Sequence, residues 1–565
     1  MFSLQALRKI VPGRRRYLLL GMLGCVACCL PATTAAAARR NLREQLAPLP
    51  AHAPRHAGHA ARRVAHATAK HPSTPPLVID LEHLKQRETI SQAQFARYHN
   101  AYSAARNTLS HLSGQRHDEL AAVLGNVEAI AADKGLIATR LPLLFLTIER
   151  NREWWSRDAL LSYGERVSFP GSRLVWEYYT GQGIELQWLA TFGEANGYFL
   201  AGSQNGPLRQ VLEEAVALAT SRAGGIAWEY MFQFDGGHPP WTSGLSQGTA
   251  IQAFSRAASR LHEPAFQKDA EAALGIFKTP PPAGVRVART VNGAPAAEYL
   301  EYSFAPEERI LNGYIQSLNG LYDFTKLTGS SVGLKLFEEG DAEARSQTPQ
   351  YNTGAWSMYD QHSESDLGYH ELLAEFLHDL CERTKGGEPL VEEAVSTTEG
   401  GGAGGTSPGG EAGTGEAGSG GASPAAKAKA ASAAKAKAAS AAKAKTASAA
   451  KVQVPGDQVY CETATDFYED LHAAPVLKLL SHKLSGDSRA GVMFSLSKVA
   501  TINLVIRRNG KIVWSNSATV EAGQPKLLWN TPKGGGTYQV SATAVDLAGN
   551  QGATSGEVKL TAKGK

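Results

Sequence analysis

At 565 residues the chain is too long for one ordinary domain and long enough to bury a sizeable core. Hydrophobic residues make up 43% and charged residues 19%, which fits a globular enzyme carrying polar inserts. The formal net charge of +4 is small for this length and gives no case for a nucleic-acid partner.

The first 38 residues read as a secretory signal peptide. Arg8, Lys9, Arg14, Arg15 and Arg16 precede an apolar run from Tyr17 to Leu30, and small residues follow at 32–38. That order places the protein outside the cell or on its surface. The run falls short of the roughly 20 residues a membrane-crossing helix needs, so an uncleaved anchor is the lesser alternative. Arg15-Arg16 is a weak mark of twin-arginine export, and Cys25, Cys28 and Cys29 lack a lipoprotein context. Residues 39–76, rich in Ala, Arg, His and Pro, read as a disordered linker. Their histidines are too irregularly spaced for a metal site.

From Leu77 to residue 385 the pattern is mostly helical. Apolar residues recur at helix spacing over 92–112, 115–133, 141–155, 207–222, 243–261, 265–277, 310–327 and 369–383. Residues 167–179 read as strand and turn, with Pro170 and Gly171 as the turn, and 226–234 reads as a further strand. Repeated helix pairs with a minor β region predict a mainly α fold, a helical α/α toroid. Residues 386–451 are low complexity, Gly-rich and acidic at first and then an Ala-Lys repeat, and cannot form a core. A spacer is the plain reading; a cationic grip on a cell-wall or surface glycan is the other. Helical pattern returns at 459–471, so residues 452–482 read as the last helix of the same domain and the tract as an insertion. Cys381 and Cys461 flank it, and a disulfide between them would tie its two ends.

Residues 483–565 differ. Short alternating apolar runs at 492–497, 502–507, 527–529 and 538–545, with the hairpin signal Asn509-Gly510, predict an immunoglobulin-like β-sandwich. Such a module serves glycan binding or simple spacing.

Three segments could carry chemistry. The first, 239–248, runs from Pro-Pro through Trp241, Ser243 and Gln247. A helix start there attracts anions and an aromatic ring offers a face to a sugar; a capped helix with a packed Trp is the alternative. The second sets the acid Glu301 beside the phenol Tyr302 in a Pro-containing loop, followed by Asn312-Gly313 at a helix start. The third carries Tyr359-Asp360 and then Tyr369-His370 entering a helix. Taken singly, each is also compatible with core aromatics.

In this order the four stretches Pro-Pro-Trp241-Thr-Ser-Gly, Leu-Glu301-Tyr302-Ser with Leu-Asn312-Gly313, Ser357-Met-Tyr359-Asp360 and Tyr369-His370 resemble the C-terminal catalytic domain of the D-glucuronyl C5-epimerase family. The likeness runs from about Phe169 to Leu380 and resumes near Tyr460. It implies a helical toroid with a preceding β region. It also implies an isomerase that inverts C5 of uronate residues in an anionic polysaccharide, turning D-glucuronate into L-iduronate. By motif position it implies Glu301, Tyr302, Tyr359 and Tyr369 as catalytic residues. Trp241, Ser243, Gln247, Asn312 and His370 are the candidates for substrate contact. Unlike the animal enzymes, this chain has a shorter step from Tyr359 to Tyr369 and has Gln361-His362 where a basic Arg-His pair would follow, which leaves the polymer open.

The chemistry needs such groups. Removing the C5 proton builds charge on the neighbouring carboxylate, so donors must be aimed there. Inversion takes a proton from one face and returns one to the other. Glu301 or Tyr302 would serve one face and Tyr359 or Tyr369 the other. A polysaccharide lyase begins with the same abstraction and is the chief rival; a non-catalytic surface glycan-binding protein is the second. No metal spacing and no nucleotide motif stands out, so neither metal nor organic cofactor is expected.

Overall fold

The structure is a computed structural model that describes residues 74–387, 390, 458–486, 488–532 and 534–561. The expected leader, nearly all of the linker and nearly all of the low-complexity tract lie outside the described residues.

Among the described residues four helices come first: α1 (Pro76–Gln86), α2 (Gln92–Leu109), α3 (Gln115–Ala132) and α4 (Leu141–Arg157). Ser91 opens α2 with a reciprocal capping box, its hydroxyl taking the Gln94 N–H while the Gln94 side chain takes the Ser91 N–H. An antiparallel sheet follows, β1 (Arg166–Val167), β2 (Trp176–Tyr179) and β3 (Gly183–Leu186), in that order. Both β2 and β3 are buried along their whole length. Then come α5 (Trp188–Ala201), α6 (Asn205–Ala217) and the small hairpin β4 (Thr220–Arg222) and β5 (Gly225–Ala227).

The centre of the domain is α7 (Gly244–Leu261) against α10 (Leu311–Thr328). Between them in sequence lie α8 (Pro264–Ala273), the short α9 (Gly275–Lys278) and the hairpin β6 (Arg286–Val291) and β7 (Ala294–Tyr299). The two long helices touch almost backbone to backbone. A Cβ at Gly248 would come within 2.6 Å of the Ser317 Cα, and one at Gly320 would strike the Gly248 carbonyl. Small residues here let α7 and α10 approach closely enough to bury the polar groups at their starts. Beyond them are α11 (Ser331–Gln347), α12 (Leu367–Thr384) and α13 (Val459–Asp470). The Cys381–Cys461 disulfide joins α12 to α13, with the two Cα atoms 5.0 Å apart. One continuous apolar core runs from Leu77 to Phe467.

The C-terminal part holds two sheets: β13 (Lys526–Asn530), β10 (Arg489–Leu496) and β8 (Leu477–Leu479) in one, and β12 (Lys511–Val520), β11 (Ala500–Arg508), β14 (Gly536–Asp546), β15 (Gln551–Thr561) and β9 (Lys483–Ser485) in the other. Phe494 and Trp529 from the first share one core with Ile502, Leu504 and Val540 from the second. Asn509 and Gly510 both take positive φ, as a type I′ hairpin turn requires.

Several elements depart from expectation. The helix expected over 207–222 stops at Ala217, and 220–222 pairs as β4 with β5. The strand expected over 226–234 ends at Ala227; beyond it Tyr230 makes only an isolated bridge to Trp241. Helices α5 and α11 and the hairpin β6–β7 were not expected, α1 stands where the helical pattern begins, and the last helix, expected within 452–482, ends at Asp470, with 477–479 pairing as β8 against β10. Among the described residues no helix is long and apolar enough to cross a membrane.

Candidate functional site

The site is built where the end of β7 meets the start of α7. Gly244 N–H donates to the Leu300 and Glu301 carbonyls at 3.1 Å each, and Ser303 N–H donates to the Thr242 carbonyl at 2.9 Å. The Thr242 N–H in turn reaches the Ser303 hydroxyl at 3.1 Å. These bonds fix residues 300–303 as a rigid ledge rather than a free loop. A Cβ at Gly244 would collide with the Leu300 carbonyl, so the glycine is required by the close approach.

On that ledge Glu301 is 1% exposed. Neither carboxylate oxygen is held by a hydrogen bond of regular geometry. Burial raises its pKa to about 8; the nearby Tyr302 hydroxyl opposes that shift and the Glu308 charge adds to it. The carboxyl occupies a notch left by Gly313 in the first turn of α10, where a Cβ would lie 2.6 Å from Glu301 Oε2. The Asn-Gly at the start of α10 is therefore shaped around the acid.

Three phenols surround it. The Tyr302 ring stacks on Phe304 at 5.3 Å and meets the edge of Trp241 at 5.8 Å. Tyr359 sits in the turn after the 3-10 segment Thr348–Tyr351, where its N–H bonds the Ser363 carbonyl at 2.8 Å. Asp360 closes that turn by accepting the His362 and Ser363 N–H groups at 2.7 Å each. Tyr369 lies in the first turn of α12, its N–H held at 2.8 Å by the cap residue Asp366. The Tyr359 and Tyr369 rings are 5.0 Å apart at 62°. Burial pushes all three phenols well above their ordinary value, and the Glu301 charge pushes each further. The Tyr302 and Tyr359 hydroxyls also act on one another. The structure thus gathers Glu301, Tyr302, Tyr359 and Tyr369, which are up to 68 residues apart in sequence, into one buried cluster of an acid and neutral phenols.

The candidates for substrate contact are placed differently. Trp241, 1% exposed, stacks on Tyr230 at 4.2 Å and donates its indole N–H to the Phe232 carbonyl. It meets Tyr302 edge-on and forms an apolar wall beside it. Ser243 is the N-cap of α7, accepting the Ser246 N–H at 3.3 Å. Gln247 donates to the Trp228 carbonyl at 2.9 Å, and its Oε1 is buried without a partner. Asn312 accepts the Gly313 N–H at 2.7 Å and leaves its buried Nδ2 unpartnered, an amide donor beside the acid's notch. His370 is fully buried and both its ring nitrogens are taken, Nδ1 by the Ser357 N–H at 3.1 Å and Nε2 by the Phe467 carbonyl at 2.9 Å. Burial, with the Lys498 charge, lowers its pKa to about 4, so it is a neutral structural imidazole that ties α12 to α13.

Sequence reasoning missed the groups on the β1–β3 side. Tyr163 and Glu177 both act on Tyr369 and raise its pKa. Glu177 is 1% exposed, paired with Arg166 Nε at 3.3 Å, and stands directly opposite Glu185 across β2 and β3. Burial raises the pKa of both carboxyls. A charged residue in the otherwise aromatic run Trp176-Glu177-Tyr178-Tyr179 was the available signal. Among the described residues no three His, Cys, Asp or Glu side chains are grouped to hold a metal ion.

Residues 223–396 match the family described as the D-glucuronyl C5-epimerase C-terminus. This segment belongs to that family. It carries Trp241, the Glu301-Tyr302 ledge and both later tyrosines, so the epimerase-family segment holds the whole acid–phenol cluster. The D-glucuronyl C5-epimerase of Caenorhabditis elegans is 30% identical over 135 residues, 22% of this chain and 21% of that protein. An uncharacterized protein of Methanocaldococcus jannaschii is 27% identical over 138 residues, 24% of this chain and 45% of that one. The chain thus aligns with less than half the length of either relative. Among solved structures, the endo-β-1,4-glucanase CMCax of Acetobacter xylinum aligns at 14% identity over 37% of this chain and 71% of that one, with a TM-score of 0.24. An engineered protein aligns at 17% identity over 20% of this chain and 30% of that one, with a TM-score of 0.14.

Proposed function

We propose that the protein is a polysaccharide uronate C5-epimerase of the D-glucuronate to L-iduronate type. The observation that carries this reading is the Glu301 carboxyl, buried without a regular hydrogen bond and ringed by Tyr302, Tyr359 and Tyr369 in a segment of the epimerase family. An acid with a pKa near about 8 holds and releases a proton close to neutrality, which suits acid–base work. The base takes the C5 proton and the C–H electron pair passes into the uronate carboxylate, giving an enediolate-like state. Neutral phenols donate hydrogen bonds to those oxygens, and their low-dielectric setting strengthens each bond. Return of the pair to C5, with a proton delivered from the other face, completes inversion with no net change in atoms. Glu301 with Tyr302 serves one face, and Tyr359 with Tyr369 the other.

Several features support an exported polysaccharide enzyme: the leader-like N-terminus, the disulfide, and the paired C-terminal sheets, which we read as immunoglobulin-like. The paired helices are read as a toroid. The Lys-rich tract and the sheet module would meet a cell-wall or surface glycan.

The test is incubation with a panel of uronate polysaccharides in D₂O, followed by NMR. Deuterium at C5 with new iduronate signals and unchanged chain length is expected. Olefinic signals with chain shortening would replace epimerase by lyase, and no exchange on any polymer would sink both. A Glu301 base would make the rate rise through about pH 8, and a Glu301 acid would make it fall there.

A further inference from the structure

The C-terminal sheets reach into the turn that carries Tyr359. Lys498, at the foot of β11, has a side chain only 1% exposed and paired with Asp546 Oδ2 at 2.9 Å. Its ammonium also donates to the Asp470 carbonyl at 2.7 Å and the Ala473 carbonyl at 2.6 Å, at the end of α13. One buried cation therefore pins the sheets to the helical part, with all three of its N–H groups matched by oxygens. The same ammonium lies 5.1 Å from the centroid of the Trp356 ring, a cation–π contact.

Trp356 is the link to the site. Its ring lies flat on His370 at 3.6 Å and 6°, and its indole N–H bonds the Ser365 carbonyl at 2.8 Å. The segment between those anchors carries Tyr359, and His370 directly follows Tyr369. A second contact fastens the same segment from the same module, the Ala522 N–H reaching Glu364 Oε2 at 3.3 Å. A tethered accessory module needs no such cation. A buried ammonium deprived of its oxygens is strongly destabilising, so displacing these neighbours is costly.

We infer that the C-terminal sheet module is a positioning element of the site, with Lys498 seated on Trp356 to hold residues 356–365 so that Tyr359 stays against Tyr369. This rests on the proposed chemistry only for its effect on rate.

The test uses the full chain with the double variant Lys498→Met/Asp546→Asn, which removes both charges and preserves bulk. A control, Val558→Ala, weakens the core of the same module without touching the 356–365 segment. Two readouts are taken: amide hydrogen exchange over 351–366, and kcat and KM for C5 exchange. The double variant should speed amide exchange in that segment and lower kcat about tenfold, with KM within about twofold, because a displaced catalytic group costs rate before it costs binding. The control should leave both readouts near wild type. Unchanged segment protection in the double variant overturns the inference, as does an equal kcat loss in the control. If wild type exchanges no C5 proton on any polymer, the functional reading falls, and segment protection alone still decides this inference.

Discussion

Two glutamates in the epimerase-family segment are equally hidden and oppositely equipped. Glu229 and Glu301 are each 1% exposed. Glu229 accepts Arg140 Nε at 2.6 Å on one oxygen, and Arg140 Nη2 at 2.9 Å and Arg222 Nη1 at 2.6 Å on the other. Among the described residues Glu301 forms no ion pair, and its carboxylate oxygens lack regular hydrogen bonds. A buried carboxylate matched by two guanidiniums locks β4, β5 and the start of α4 together. A buried carboxyl left among phenols can change its protonation state without breaking an ion pair. The contrast separates an acid tied into the fold by ion pairs from one that is free of them, which is what the proposed chemistry requires of Glu301, although burial alone cannot tell the two apart.

Substitutions at the two sites should therefore fail in different ways. The largest expected effect is on rate. Glu301→Gln should lower C5 exchange by about 10²–10⁴-fold while leaving the fold intact, read by deuterium incorporation and a thermal melt. Retention of near wild-type exchange would remove Glu301 from the chemistry. Next, Glu229→Gln takes the carboxylate from the buried Arg140 and the partly buried Arg222, which keeps the Ala283 and Pro240 carbonyls, and should cost about 3–5 kcal/mol in urea unfolding, with kcat unchanged where the protein is still folded. A rate loss without a stability loss there would break the comparison. Smaller again, Gly313→Ala puts a methyl 2.6 Å from Glu301 Oε2. Overpacking of that kind costs about 1–3 kcal/mol, and the displaced acid should slow exchange. A fully active Gly313→Ala would show that the notch does not set the carboxyl's place.

The motifs made the Glu301 side of this contrast legible in sequence, because Glu301-Tyr302, Asn312-Gly313, Tyr359 and Tyr369 each stand in a short distinctive context. Periodicity also located α2, α3, α4, α7, α10 and α12 within a few residues. It missed α5, where Trp188, Phe192, Ala195 and Gly197 are buried around the helix and leave little polar stripe to detect. It missed α11 because Gly333 and Gly340 weaken the helical signal; both are there to admit Phe324 and Tyr299. The roles of Trp241 and His370 were ambiguous because a residue type does not reveal what covers it. The Tyr230 stack and the Phe467 carbonyl that surround these two side chains come from elsewhere in the chain.

The finest test of the comparison is the pH dependence of stability. Glu301 titrates near its ordinary 4.5 when unfolded and near about 8 when folded. Below about pH 4.5 both states hold the proton, and the acid contributes no difference between pH values. Between the two values the unfolded chain has released its proton and the folded chain keeps it, so the unfolded state binds fewer protons. Stability from this group is then lost as pH rises, at about 1.4 kcal/mol per pH unit, and the loss levels off above the folded value. Glu301→Gln has nothing to titrate there. Its unfolding free energy, compared with wild type from pH 5 to 9, should gain on wild type steadily through that window and then run parallel. Parallel curves for wild type and Glu301→Gln would mean that the folded site already neutralises the Glu301 charge, and the two buried acids would no longer differ in kind.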